Sequence, residues 1–88
     1  MNQVFYSSFH SDIKKIKNKI LAQAIKDFIE LTSLVDSFSG IPNLVKMKGH
    51  KSAYRFRIND YRIGFFLEDN TIYFSAFDHR KNLYKRFP

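Results

Sequence analysis

Arg55, Arg57 and Arg62 stand in the stretch Lys46 to Arg62, where residue types and spacing suit the handling of an anion. From Ala53 to Asn59, apolar Tyr54, Phe56 and Ile58 alternate with Arg55, Arg57 and Asn59, the period of a half-buried strand. Asn59-Asp60 reads as a tight turn, and Tyr61 to Leu67 alternates again, so the two runs form one antiparallel hairpin. A two-residue loop sets Ile58 opposite Tyr61, Arg57 opposite Arg62, Phe56 opposite Ile63 and Arg55 opposite Gly64, and residues directly opposite share a face. One face is then aromatic and aliphatic, while the other crowds three guanidinium groups beside a glycine. Like charges opposite each other destabilise a sheet, within a pair scale of roughly 0.2–1 kcal/mol. Folding alone does not call for that cluster. A phosphate backbone would turn the repulsion into attraction, because a guanidinium fork binds two phosphate oxygens at once. The plainer alternative is a solvated face whose arginines point to water.

Arginine stays protonated and is a poor base, so proton transfer would fall to another group. Histidine has the right intrinsic range, and the chain has three, His10, His50 and His79. Strand parity from the second turn puts His79 on the arginine face. His50 sits in the Gly49-His50 loop before the first hairpin strand, where packing or an RNA contact are equally open to it. His10 reads as a solvated helix residue. The three are too far apart to spell a metal motif, and the lack of cysteine excludes a disulfide framework and a thiolate site.

The elements that must position these groups follow from the rest of the chain. Val4, Phe5 and Tyr6 suggest a short first strand ended by Ser7-Ser8. Either serine can cap a helix with Phe9, Ile13 and Ile16 on one side. Asn18 precedes a second helix running to about Val35, with a broad apolar stripe through Ile25, Phe28 and Leu31. Ser37 to Asn43, with Gly40 and Pro42, is a loop. A second turn at Asp69-Asn70 leads to Thr71 through Asp78, pairing Leu67 with Ile72, Phe65 with Phe74 and Ile63 with Ala76. That register leaves Phe66, Tyr73, Ser75 and Phe77 beside Arg62, where the segment Lys81 to Pro88 would cover the aromatics. The residues from Asp78 to Arg86 end the last strand and start a short helix. The expected fold is α+β: two N-terminal helices packed on one face of a small, mainly antiparallel sheet, with a short C-terminal helix, in one domain spanning residues 1–88.

The composition suits a folded chain, with 44% hydrophobic and 17% aromatic residues. Net charge is +7 and unevenly placed: residues 1–44 hold five Lys/Arg and four Asp/Glu, residues 45–88 ten and four. The positive field belongs to the second half, which points to nucleic acid or an acidic protein partner. No apolar run approaches the ~20 residues that span a bilayer, and no basic segment followed by an apolar core opens the chain. A cytoplasmic protein without a membrane partner is the expectation.

The order helix, helix, then a meander containing Lys-Met-Lys-Gly-His-Lys-Ser-Ala-Tyr-Arg-Phe-Arg-Ile-Asn-Asp-Tyr-Arg-Ile and closing in His79-Arg80-Lys81-Asn82-Leu83-Tyr84 resembles the RelE/ParE toxin superfamily of bacterial toxin–antitoxin systems. RelE-like members imply an mRNA endoribonuclease that works in the ribosomal A site without metal or cofactor. In such an enzyme the 2′-hydroxyl attacks the adjacent phosphate. By position the resemblance implies catalytic roles for Arg57, Arg62, His79, Arg80 and Tyr84. RNA contacts would come from Lys46, Lys48, His50, Lys51, Arg55, Lys81, Lys85 and Arg86. The chain departs from RelE in carrying arginines where the paired strand lysines stand, which moves the proton acceptor elsewhere, first to His79. The implied partners are a cognate antitoxin, acidic where it covers the basic face, together with ribosome and mRNA; a toxin–antitoxin hetero-oligomer is then possible. A ParE-like toxin that binds and inhibits DNA gyrase is the alternative on the same fold.

Overall fold

Alternation, turn residues and one capping asparagine account for most of the architecture. A computed structural model describes residues 1–88 as β1 (Asn2–Phe5), α1 (Ser7–Lys14), α2 (Lys19–Leu34), β2 (Leu44–Lys46), β3 (Ala53–Ile58), β4 (Tyr61–Glu68), β5 (Thr71–His79) and α3 (Arg80–Arg86). The strands form one sheet in the order β1-β5-β4-β3-β2, antiparallel except for β1, which runs parallel to β5. The α+β expectation holds. Two strands complete it at the edges: β1 pairs with the last strand, and β2 is a three-residue strand beside β3.

Both turns fall where their residues require them. Asp69 and Asn70 both take left-handed backbone, at φ 50° and 58°, which suits a two-residue hairpin and which Asp and Asn tolerate. Asn18 caps α2 by accepting from the backbone N–H groups of Ile20 and Leu21. At α1 neither serine caps. Ser8 instead donates its hydroxyl to the carbonyl of Ser75 on β5.

The stripes of α1 and α2 close over one sheet face. Phe9, Ile25 and Phe28 meet Ile58, Ile63, Phe65, Ile72, Phe74 and Phe77 in a single buried cluster, with the Phe28 ring stacked on Phe56 at 3.9 Å. The opposite face carries a smaller apolar cluster under α3, made by Ala53, Ala76, Leu83 and Phe87.

One residue changes the expected register. β4 and β5 pair as foreseen from Leu67↔Ile72 to Phe65↔Phe74, but Gly64 then faces Ala76 and Ile63 faces Phe77, leaving Ser75 as the extra residue of a bulge. Side-chain parity therefore flips after Phe74. Phe77, expected beside Arg62, lies in the helix-covered core and stacks on Tyr61 at 5.3 Å, whereas Ala76 lies under α3. Helix α1 meets the backbone groups around the bulge: Ser8 binds the Ser75 carbonyl, and Asp12 Oδ2 accepts from the Phe77 N–H at 2.9 Å. The two aromatics that stay on the outer face are both packed, Phe66 against Phe87 and Tyr73 against Tyr6.

Candidate nucleic-acid interface

The β3–β4 register is the one that alternation predicts, with Arg55 opposite Gly64 and Arg57 opposite Arg62. With β2 and β5 added, one row across the outer face reads Val45, Arg55, Gly64, Ala76, and the next reads Arg57, Arg62, Asp78. Leu83 of helix α3 and the following Phe87 cover the β4–β5 part of this face. An added Cβ on Gly64 would stand 2.7 Å from the Phe87 ring, so only glycine admits that approach. The β3 side stays open as a cavity of about 330 Å³ lined by Asn43, Val45, Arg55, Arg57 and Arg62.

Arg62 lies at the electrostatic centre. Burial, first, and then the charges of Arg57, Arg55 and Arg80 push its guanidinium below its ordinary value, while Tyr84 acts in the opposite sense. It remains a cation, and a crowded one. Its Nη1 donates to the carbonyls of Asn59 at 2.8 Å and Tyr61 at 2.9 Å, fixing the fork beside the turn. Arg55 holds its guanidinium 5.0 Å from the centre of the Tyr84 ring, a cation–π contact that orients a side chain still 57% exposed. The structure thus gathers Arg55, Arg57, Arg62, Arg80 and Tyr84. Such a group can bind a phosphate and present an aromatic face to a base.

The other expected residues lie elsewhere. The bulge turns His79 onto the face of Tyr61, with the two rings 5.6 Å apart, so strand parity misplaces it. There it caps α3, its Nδ1 accepting from the Lys81 N–H at 3.3 Å, which leaves Nε2 to carry the proton in the neutral ring. Arg86 is no free cation: it pairs with Asp12 of α1 and Asp78 of β5 and donates to the Phe77 carbonyl. Asp12 and Asp78 raise it above its ordinary value despite the opposing effect of burial. Lys46 opposes Tyr54 and so shares the helix-side face, while Lys48, His50 and Lys51 are exposed on the β2–β3 loop as a second basic group. Lys81 and Lys85 are exposed on α3. Asn43 and Val45 escape a search by charge. Asn43 takes left-handed backbone, at φ 65°, and offers its carbonyl to the Arg57 N–H, and Val45 is the exposed neighbour of Arg55 in β2.

The model of the ParE toxin of the type II toxin–antitoxin system parDE matches residues 4–84. Toxin RelE3 of Methanocaldococcus jannaschii is 34% identical over 89 residues, the full length of both chains. The chain belongs to the RelE/ParE toxin family of type II toxin–antitoxin systems. Among solved structures the toxin superposes on the RelB–RelE antitoxin–toxin complex from Methanococcus jannaschii with a TM-score of 0.83 at 32% identity, covering 97% of this chain and 99% of that one. The YoeB dimer from Staphylococcus aureus shares the fold at a TM-score of 0.74 and 19% identity, over 91% and 97% of the two chains. The toxin's arginine face lies on the part of this fold that the two N-terminal helices leave uncovered.

Proposed function

We propose that the toxin is a ribosome-dependent mRNA endoribonuclease that needs no metal or cofactor. The observation that carries the reading is the grouping of Arg55, Arg57 and Arg80 around Arg62, with Tyr84 ordered on Arg55 at its edge. The 2′-hydroxyl oxygen attacks the adjacent phosphorus and the P–O5′ bond breaks, leaving a 2′,3′-cyclic phosphate and a 5′-hydroxyl. Arg62 and Arg57 bind the non-bridging oxygens and offset the charge that grows on the phosphorane, with Arg80 adding to the field. Tyr84 stacks on a neighbouring base and holds the chain in line for attack. None of these arginines is a base, and His79 lies across the sheet, so solvent takes the 2′-hydroxyl proton and supplies one to the leaving oxygen. The β2–β3 loop, with Lys48, His50 and Lys51, and the α3 lysines Lys81 and Lys85 contact flanking RNA backbone. The likeness to the RelB–RelE antitoxin–toxin complex supports a cognate antitoxin partner, and the charge of the basic face suits its cover by an acidic segment of that partner.

The test is brief expression without the antitoxin, with mRNA ends mapped by primer extension and gyrase-linked DNA breaks scored in the same cells. New cuts at a fixed codon phase, confined to translated messages, are expected. Arg62→Ala should lower cleavage about a hundredfold or more, the scale of losing a preorganised charge contact. His79→Gln should stay within about tenfold of the native rate, since only a cap is lost. Intact messages with broken DNA would move the target to gyrase.

A further inference from the structure

Arg62 and Asp78 are direct partners across the β4–β5 ladder and share the outer face of the sheet. Side chains so placed have their Cβ atoms about 5 Å apart, close enough for an arginine–carboxylate pair. That pair does not form. Arg62 turns its Nη1 to the carbonyls of Asn59 and Tyr61. Both oxygens of Asp78 are engaged elsewhere: Oδ1 accepts from the His79 N–H at 2.7 Å and from Asn82 at 3.4 Å, and Oδ2 accepts from Arg86 Nε at 3.1 Å. Arg86 is anchored in turn by Asp12 and by the Phe77 carbonyl. The only acid in the Arg57–Arg62 row is therefore held by an arginine from another element.

We infer that Arg86 is a positioning residue that holds Asp78 away from Arg62, keeping the arginine cluster uncompensated for an anionic ligand. The inference deepens the reading of Arg62 as the phosphate contact and rests on it. Without Arg86, Asp78 Oδ2 loses its charged partner, and the nearest unneutralised cation in its row is Arg62. An internal carboxylate would then compete with RNA phosphate for that guanidinium.

The experiment measures binding of an oligoribonucleotide made uncleavable by 2′-O-methyl groups, with thermal melting as a check on folding. Arg62→Ala must weaken binding; if it does not, the phosphate reading itself fails, whatever Arg86 does. Given that control, Arg86→Gln is expected to weaken binding roughly fivefold, the upper range for one exposed ion pair. Adding Asp78→Asn should restore wild-type affinity. Adding Asp69→Asn instead, which returns the same net charge at the far end of the hairpin, should not. An Arg86→Gln variant with full affinity, a double variant no better than the single, or equal rescue by Asp69→Asn overturns the inference; direct contact of Arg86 with RNA predicts the second of these. Should Arg86→Gln fail to fold, the wild-type protein decides by NMR. Acid titration of Asp78 should move the Nε–H resonance of Arg86 and leave that of Arg62 in place, and movement of Arg62 in the same step overturns the inference.

Discussion

Asp78 joins the acid sensitivity of the fold to the architecture of its outer face. Burial acts to raise its pKa, but hydrogen bonds from the His79 N–H, Asn82 and Arg86, with the charge of Arg86, hold it below its ordinary value. A carboxyl depressed in the folded state contributes stability that is complete above its unfolded value of about 3.9 and is lost as pH falls through the lower, folded value. Melting temperature should therefore drop more steeply below about pH 4 in the wild type than in Asp78→Asn. Equal slopes would mean that Asp78 is not held as its contacts require. The arginine cluster was legible from alternation and one turn, because both are local. The fate of Arg86 was not, because its partner Asp12 lies near the other end of the sequence and no local pattern joins them.

Helix α3 is where the outer face is divided into a packed half and an open half. Its Leu83 and the following Phe87 sink into the Ala53 and Ala76 cluster, and Phe87 lies against Gly64, where a methyl group has no room. Gly64→Ala should cost about 1–3 kcal/mol, the usual range for an overpacked site. It should also loosen Tyr84 from Arg55, since Tyr84 rides on the displaced helix. Chemical denaturation reads the first effect, and amide hydrogen exchange along Arg80–Arg86 reads the second. A variant as stable as wild type would show that Phe87 yields without cost. The hairpins and the capped second helix were legible because turn residues and periodicity lie side by side in the chain. The bulge at Ser75 was not: Ser75 and Ala76 are small residues that neither face rejects, so alternation passes over the extra position unmarked. That single residue reassigned Phe77, Ala76 and His79. Strand β2 is three residues long, too short for a period-two signal.

At the scale of the molecule, the +7 charge is concentrated on the second half of the chain, and Arg57 faces Arg62 across β3 and β4 with Arg55 on the same face. Such repulsion is screened by salt over about 10 Å at 0.1 M. The free toxin should therefore melt at a higher temperature in about 0.2 M salt than in 0.01 M, while its affinity for RNA falls over the same range. A melting temperature that stays flat or falls would show the cluster to be already neutralised within the molecule. No helix is long and apolar enough to cross a membrane. The parallel pairing of β1 with β5 sets a further condition on this sheet. Asn2 meets Thr71, and Phe9 packs against Phe74, so the first strand and helix have no lasting place until β5 has been synthesised. The β3–β4 hairpin that carries Arg55, Arg57 and Arg62 can form earlier from its own turn. The covering helix with Tyr84 lies downstream of that hairpin, so the arginines are made before the aromatic that borders them.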